Sequence, residues 1–402
     1  TCSGAVMTVR VNKPAFNLRE KLSELERPIG VKGNELMRAE TAQEAGALLG
    51  VGRKNVIING DQNIDQRNNG SATANFTGGG HFVTDRWEGY NGNGGTISGQ
   101  RVEDAPPGFK HSLKLTVGTA DGRTAANAYG GMYYTVEGFD AYRFAWGTSG
   151  AKYATISFWV KASVAGLYTV AVRDNAFTSY YTAIYYIDSI NTWEYKTVTV
   201  PGPTSGSFSA GNGLGFSLFF ALDTGSNAHG TVNSWRIGAG NYYATSGMAP
   251  LFATSGNTWQ ITGVQMEVGK NATDFEHRSY GEELALCQRY FIRMSGSTGA
   301  HGTSVGDGGI ATLANWATSA AYGPIFLGTE MRTAPSLAGF SGVKYFANGV
   351  QHTPSSSDVV LVGTMTNRVE LRINNQSNLL QGGAGWVRLA STSDYMDFNA
   401  EL

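Results

Sequence analysis

Two acidic side chains in the middle of the sequence are the residues best suited to acid–base chemistry. Glu137 and Asp140 lie three positions apart in a glycine-containing stretch. Glycoside hydrolysis needs at least two carboxyl groups, because one donates a proton while the other acts as base or nucleophile. Carboxylates in such a stretch are more typical of solvated turns, so we predict no catalytic residue and no enzymatic activity. A glycan-cleaving enzyme is the alternative interpretation.

A second pattern with catalytic potential is Gly-Thr-Ser-Val-Gly at residues 302–306. It matches the turn that presents the nucleophilic serine of α/β hydrolases. That turn requires a buried strand before it and a helix after it, whereas both flanks here are rich in glycine and serine. Ser304 is therefore interpreted as part of a linker.

The potential metal ligands do not have the spacing of a metal site. Asp61, Asn63 and Asp65 imitate the start of a calcium-binding loop, but the sixth position lacks glycine and the twelfth lacks glutamate. We interpret them as a polar β-turn. The six histidines are too scattered to predict a zinc site. The sequence thus predicts neither a metal nor another cofactor.

Aromatic residues give the stronger functional signal, and they are dense between residues 142 and 243. Aromatic rings stack on the C–H faces of sugars, and polar groups beside them bind sugar hydroxyls. We predict that Trp146, Tyr180 and Tyr181 contact a glycan. The competing interpretation is that these rings belong to a core.

The composition indicates many short strands joined by tight turns. Glycine is abundant at 54 residues, proline is sparse at 10, and charged residues make up 15% of the chain. The formal net charge of −1 gives no electrostatic reason to bind nucleic acid. No apolar run approaches the length of a membrane span. The chain has only two cysteines, Cys2 and Cys287, which are too few and too far apart in sequence for a disulfide framework. Because the start also shows no secretion signal, we expect synthesis in a reducing cytoplasm.

Residues 1–53 are more highly charged than the rest and show helical periodicity. One short amphipathic helix is predicted to end at Pro28, and a second begins at the capping box that starts at Thr41. Helices this short need a surface on which to bury their apolar side. We predict an arm that docks on a partner protein, with packing on its own chain as the alternative. The docking residues would be Leu18, Leu22, Leu25, Leu48 and Leu49.

Residues 54–281 contain about ten short apolar stretches separated by glycine, asparagine, aspartate or proline. This spacing predicts an antiparallel β-sandwich of the jelly-roll type. Because the first and last strands of a jelly roll usually lie together, residues 56–58 are expected near residues 263–268. The absence of a repeat argues against a β-helix, a propeller or a solenoid.

The apolar period changes from two residues to helical spacing after residue 281. We predict a connecting helix over residues 282–294 and a glycine- and serine-rich connector that continues to residue 309. Cys287 is predicted to be an inert buried thiol. The candidates for an oligomer interface on this helix are Leu284, Cys287, Tyr290 and Phe291.

Residues 310–402 return to a strand pattern and predict a small C-terminal β domain. The fold class is therefore mainly β, with a helical arm, a sandwich, a connecting helix and this last domain. Trp316, Tyr345 and Trp386 would give the C-terminal domain a second surface for ligand contact.

Several segments that together span most of the chain carry recognisable motifs. The most specific combination is Val-Gln-Met-Glu from residue 264 followed by Cys-Gln-Arg-Tyr from residue 287. These segments resemble bacteriophage virion proteins of the tail-fibre type, whose sandwich domains look like carbohydrate-binding modules. The segments are residues 15–25, 34–45, 55–67, 84–87, 262–290 and 331–335.

This resemblance implies a bacteriophage virion structural protein, a fibre or appendage subunit that assembles as a homotrimer. The N-terminal arm would attach it to a tail adaptor, baseplate or capsid protein, and the other domains would contact host-surface glycan. The protein would be made in the host cytoplasm and located in the virion. Tail fibre, other tail appendage and capsid fibre all remain open, and so does a purely structural spacer or decoration protein.

Overall fold

The computed structural model describes residues 53–296, apart from positions 93, 124, 239 and 241, and residues 309–402. Residues Lys54–Leu402 form one compact unit. The Ser304 motif lies outside the described residues, so its interpretation stays a prediction. The same holds for the docking residues Leu18, Leu22, Leu25, Leu48 and Leu49.

The fold is mainly β, as predicted, and its first part is an antiparallel sandwich of a seven-stranded and a five-stranded sheet. A single helical turn, α1 (Gly138–Ala141), follows the fifth strand. The twelve strands are β1 (Gly78–Thr84), β2 (Trp87–Gly92), β3 (Ile97–Val102), β4 (Ser112–Val117), β5 (Tyr129–Glu137), β6 (Ala154–Ala162), β7 (Gly166–Asp174), β8 (Ser179–Ile187), β9 (Glu194–Val200), β10 (Leu214–Thr224), β11 (Trp235–Ile237) and β12 (Thr258–Val268).

The sandwich core lies between the two sheets, whose strand orders are β1-β2-β5-β10-β7-β8-β11 and β3-β4-β12-β6-β9. Phe158 on β6 meets Phe220 on β10 edge to face, with ring centroids 5.2 Å apart. Burying one such ring contributes about 1.5–3 kcal/mol to stability. Because side chains alternate along a strand, every second residue of the seven-stranded sheet faces away from this core.

The segment before β1 pairs with the last sandwich strand, which confirms the expected pairing of first and last segments. The backbone N–H of Val56 donates to the carbonyl oxygen of Met266 at 3.0 Å, and that of Val264 donates to Gly60 at 2.9 Å. A Cβ at Gly60 would lie 2.1 Å from the Val264 carbonyl oxygen. The glycine is therefore required for the close approach of the two segments.

The connecting helix is shorter than predicted. It is α2 (Tyr280–Gln288), which begins after Ser279, whose hydroxyl accepts the N–H of Glu282 at 3.3 Å. The next residues form a strand, Phe291–Ser295, instead of continuing the helix to residue 294. Tyr290, Phe291 and Ile292 are all buried. Three consecutive residues cannot share one face of a helix, so burial on both sides favours the strand.

Cys287, Tyr290 and Phe291 are buried inside their own chain, which corrects the interpretation of these three residues as oligomer contacts. Cys287 and Tyr290 are buried in a cluster with Ile58 and Ile64 of the sandwich, and Leu284 packs on that cluster. Cys287 is a buried free thiol, as predicted, and burial raises the pKa of this thiol well above its ordinary value.

Phe291, the fourth oligomer candidate, is also covered within the chain. Its ring lies 3.6 Å from the guanidinium carbon of Arg67, a residue of the sandwich. Three of the four interface candidates, Cys287, Tyr290 and Phe291, are thus buried within the chain, whereas Leu284 is half-buried.

The C-terminal part contains the strands β13 (Phe291–Ser295), β14 (Gly309–Ala317), β15 (Ala320–Phe326), β16 (Ser336–Phe340), β17 (Val343–Ala347), β18 (Val350–His352), β19 (Val359–Thr364), β20 (Arg368–Ile373), β21 (Ala384–Leu389) and β22 (Tyr395–Asn399). They form a three-stranded sheet of order β13-β22-β16 and a seven-stranded sheet of order β18-β17-β21-β14-β15-β20-β19. A separate apolar core, which includes Leu313, Tyr345, Val387 and Phe398, lies inside it. Among the described residues, no helix is long and apolar enough to cross a membrane.

Candidate functional site

The three rings predicted to contact a glycan are buried, so that prediction is corrected. Trp146, Tyr180 and Tyr181 expose 5%, 2% and 5% of their surface. A ring must present a face to solvent before a sugar can stack on it. None of the three does so.

Trp146 belongs to a cluster of rings at one end of the sandwich core. Its ring centroid lies 5.0 Å from that of Phe216 and 5.7 Å from that of Trp235, and its indole N–H donates to the carbonyl oxygen of Lys152 at 2.7 Å. Tyr181 packs on the same Trp235 at 5.6 Å. The competing interpretation, that the rings form the core, is therefore correct for Trp146 and Tyr181. Tyr180 is buried in a separate cluster with Phe219 and Tyr243.

A different aromatic cluster lies on the outward face of the seven-stranded sheet. Along β5, Met132 and Tyr134 point into the core, so Tyr129 and Tyr133 point outward. Outward side chains of neighbouring strands enclose a cavity of about 340 Å³, called here the tyrosine cavity. Its lining residues are Glu88, Tyr90, Tyr129, Tyr133, Arg173, Phe219 and Tyr243.

The rings of the tyrosine cavity form two groups. Tyr90 and Tyr129 stack on one side, with centroids 5.0 Å apart and planes inclined by 20°. On the other side, Phe219 lies 4.7 Å from Tyr243 and 5.7 Å from Tyr133. Phe219 and Tyr243 are buried, whereas the other three rings are half-buried and reach solvent. The cavity thus has a buried aromatic base and accessible tyrosine rings.

Glycines on the neighbouring strand segments make room for the two stacked rings. A Cβ at Gly79 would lie 2.1 Å from the ring of Tyr90. A Cβ at Gly92 would lie 2.7 Å from the ring of Tyr129. Any larger residue at these positions would displace a ring, so the glycines determine where the tyrosines lie.

Two residues of the loop after β11, Tyr242 and Tyr243, are held over β7 and β8 on this sheet face. The hydroxyl of Thr169 on β7 donates to the carbonyl oxygen of Tyr243 at 2.7 Å. The hydroxyl of Thr182 on β8 donates to the carbonyl oxygen of Tyr242, also at 2.7 Å. Since the loop is tied to β7 and β8, the face over β2, β5 and β10 is left for the tyrosine cavity.

Arg173 on β7 brings a positive charge to the cavity. Its Nη1–H donates to the hydroxyl of Tyr243 at 3.0 Å, and its Nε–H donates to that of Ser217 at 3.3 Å. The guanidinium carbon lies 3.7 Å from the ring centroid of Phe177 and 4.9 Å from that of Tyr133. These contacts hold the guanidinium between aromatic rings.

Three tyrosine hydroxyls at or beside the cavity have raised pKa values and are neutral near pH 7. Burial, together with a hydrogen bond from Tyr90, raises the pKa of Tyr129 well above its ordinary value. Burial also raises the pKa of Tyr180 to about 12 and that of Tyr243, although Arg173 opposes the shift in both. Neutral hydroxyls can both donate to and accept from sugar hydroxyls.

The local density of aromatic residues does not identify Tyr90, Tyr129 and Tyr133, because these tyrosines precede the dense stretch between residues 142 and 243. The signal that identifies two of them is the period of two on β5, where Tyr129 and Tyr133 share one face and Gly131 lies between them. Tyr90 joins these two rings only because β2 pairs with β5, which places Tyr90 opposite Gly131.

The two carboxylates with catalytic potential are each held by an arginine. The Glu137 carboxylate, 2% exposed, accepts hydrogen bonds from Nε and Nη2 of Arg289 at 2.9 and 2.6 Å and from the hydroxyl of Tyr290 at 2.5 Å. Asp140 lies 3.7 Å from Arg143. Both oxygens of Glu137 are thus engaged in contacts within the chain.

The acidic residues of the calcium-like segment bind their own turn. Asp61 accepts a hydrogen bond from the Asn63 side chain at 2.5 Å. Asp65 accepts the backbone N–H groups of Asn68 at 3.0 Å and Gly70 at 2.7 Å. Within the part of the chain that the structure describes, no group of three or more acidic, histidine or cysteine side chains is placed to hold a metal ion.

The second predicted surface is only partly exposed. Trp316 and Trp386 expose 49% and 39% of their surface, whereas Tyr345 is fully buried in the C-terminal core. The Trp386 ring lies 5.2 Å from that of Phe346 on the neighbouring strand β17. These two tryptophans lie on the outward side of an open sheet.

No protein-family model matches the sequence, and no curated protein matches it either. Among solved structures, the enzymatically active domain of tailspike protein 4 from bacteriophage CBA120 matches 54% of this chain, at 14% identity and a TM-score of 0.30. The match covers 21% of the tailspike chain, so this chain corresponds to about a fifth of its length.

Two carbohydrate-binding modules are also similar to part of the chain. A family 11 module from Clostridium thermocellum matches 50% of this chain and 99% of its own length, at 15% identity and a TM-score of 0.26. The module TmCBM61, solved in complex with β-1,4-galactotriose, matches 55% of this chain and 100% of its own length, at 8% identity and a TM-score of 0.25.

Proposed function

We propose that this chain is a non-enzymatic bacteriophage virion protein whose sandwich binds host-surface glycan in the tyrosine cavity. Glycan binding is supported by one observation: Tyr90 and Tyr129 stack on each other, are accessible to solvent and line a cavity of about 340 Å³. Ligand cavities of this size are typically lined by aromatic rings with a few polar groups that fix orientation. Glu88 and Arg173 are the charged groups of this lining.

The virion part of the proposal is supported by the sequence resemblance described above. In this proposal residues 1–53 attach the protein to the particle as a fibre or appendage subunit, and the sandwich projects from it. Assembly as a trimer stays a prediction, and its interface must involve residues other than the buried face of α2.

The non-enzymatic part is supported by the state of Glu137. A general acid or base must reach the substrate, and both oxygens of this carboxylate already accept hydrogen bonds from Arg289 and Tyr290. In this proposal Glu137 is a structural residue and the bound glycan is left intact.

Adsorption of the labelled full chain to host cells tests the proposal. Tyr129→Ala should reduce adsorption by at least about tenfold, the effect of losing roughly 1.4 kcal/mol of stacking energy. Tyr186→Ala is the matched control, because Tyr186 lies on the same sheet, exposes 51% of its surface and is not part of the cavity. Equal adsorption of the two variants would contradict the proposed site.

A further inference from the structure

Arg173 places a charge in the tyrosine cavity without a carboxylate partner. Among the described residues it takes part in no salt bridge. Its guanidinium donates hydrogen bonds to hydroxyl groups, those of Tyr243 and Ser217. These neutral groups orient the guanidinium but do not neutralise it.

The nearest carboxylate in sequence is directed elsewhere. Asp174 follows Arg173 on β7 and therefore points to the opposite side of the strand. It is fully buried, and its oxygens accept the backbone N–H groups of Thr178 at 2.8 Å, Ser179 at 3.0 Å and Ser207 at 3.1 Å. This carboxylate is engaged by a turn and does not compensate Arg173.

The carboxylate that does line the cavity comes from a different strand. Glu88 is on β2 and accepts the backbone N–H of Gly80. The strand order β2-β5-β10-β7 separates the backbones of Glu88 and Arg173 by three strand spacings, roughly 14 Å, although the Arg173 side chain extends toward Tyr133 on β5. The cavity therefore contains a hydrogen-bond acceptor and a cation that form no salt bridge with each other.

We propose that the tyrosine cavity selects an acidic glycan, in which a sugar carboxylate pairs with Arg173. The planar fork of a guanidinium matches a carboxylate, and charge-assisted hydrogen bonds are about twice as strong as neutral ones. The neighbouring sugar stacks on Tyr90 and Tyr129, and a sugar hydroxyl donates to Glu88. This inference rests on the proposed function and adds the chemical class of its ligand.

An array of matched glycan pairs tests this inference with the full chain. Each pair consists of an acidic glycan and its neutral counterpart, namely tetragalacturonate with its carboxyl-reduced tetragalactoside, and sialyllactose with lactose. The unmodified protein should bind the acidic member of at least one pair about tenfold more tightly, the effect of one charge-assisted hydrogen bond. Binding of that member should weaken as sodium chloride increases, whereas binding of the neutral member should not.

Two variants distinguish a loss of binding caused by the missing charge from a loss caused by misfolding. Arg173→Gln should bind both members of a pair equally, and Arg173→Lys, which keeps the charge without the fork, should recover part of the acidic preference. If Arg173→Gln does not fold, the salt dependence of acidic-glycan binding by the unmodified protein tests the role of the charge instead. Equal binding of both members by the unmodified protein would overturn the acidic preference but leave the glycan site intact. The proposed function itself would be contradicted if the protein bound no glycan of any pair. It would also be contradicted if Tyr129→Ala left glycan binding unchanged.

Discussion

Glu137 at the end of β5 and Arg289 immediately after α2 form a two-pronged ion pair, with N–O distances of 2.9 and 2.6 Å. The arginine is 29% exposed and the carboxylate only 2%. This pair joins the sandwich to the segment that leads into the C-terminal sheets. Glu137, whose residue type would suit a catalytic acid, therefore has a structural role and links two parts of the fold.

Replacing Glu137 by Gln should lower the free energy of unfolding by about 2–3 kcal/mol, because a buried charged hydrogen-bond acceptor is lost. Urea denaturation measures this change. Asp140→Asn is the control, since Asp140 is paired less closely with Arg143, at 3.7 Å, and should change stability by no more than about 0.5 kcal/mol. Equal losses in the two variants would contradict the structural role of Glu137.

A second ion pair, between Arg86 and Glu401, joins the sandwich to the end of the C-terminal sheets. Both side chains are almost completely buried, at 1% and 6% exposure. Glu401→Gln leaves Arg86 as a buried and uncompensated cation, which costs about 3–5 kcal/mol. Thermal or urea unfolding should show this loss, whereas Glu330→Gln, at an exposed position, should be nearly neutral. A stability of Glu401→Gln within about 0.5 kcal/mol of the parent would rule out this buried ion pair.

The pH dependence of stability should contain a contribution from Asp85. Burial raises its pKa to about 6, although Arg67 and the Gln66 hydrogen bonds act in the opposite direction and Glu401 adds to the shift. The folded state thus binds the proton more tightly than the unfolded state. The resulting stabilisation, about 3 kcal/mol for a two-unit shift, is complete below about pH 4 and is lost as the pH rises through 6.

Asp85→Asn tests this dependence because the amide does not titrate. Between pH 4 and 7 the unfolding free energy of the parent should fall relative to that of the variant. Other groups with raised pKa values, such as Asp223, are present in both proteins and cancel in the comparison. Parallel pH profiles for parent and variant would show that Asp85 titrates normally.

The strands and the sandwich were predictable because they depend on a period of two and on turn residues close in sequence. The pairing of residues 56–58 with β12 was predictable because the first and last strands of a jelly roll usually lie together. The end of the helix was not predictable from periodicity, since an apolar run such as Tyr290–Phe291–Ile292 also suits a strand buried on both sides.

The candidate site was harder to predict because strand alternation defines two faces but does not say which one is the core. Trp146 and Tyr181 are on the inner side, and Tyr129 and Tyr133 are on the outer side. The tyrosine cavity also depends on pairing between distant strands, since β2 and β5 lie next to each other although they are separated by β3 and β4 in sequence.

The corrected position of Trp146 leads to a direct mutational test. Trp146→Ala should lower stability by about 3–5 kcal/mol, because it removes a large ring from the core. Tyr142→Ala is the control for aromatic content, since Tyr142 exposes 64% of its surface. Differential scanning calorimetry should give a clearly lower melting temperature for the first variant only. An unchanged melting temperature for Trp146→Ala, together with lost glycan binding, would restore the original interpretation.

The binding of purified host-surface polysaccharide to the full chain, measured by affinity electrophoresis, tests the central claim most directly. We expect Tyr90→Ala and Tyr129→Ala each to weaken binding by about tenfold or more while the melting temperature stays within a few degrees of the parent. Tyr186→Ala should bind as the parent does. Undiminished binding by both cavity variants, or no binding by the parent at any polysaccharide concentration, would contradict a glycan site in the tyrosine cavity.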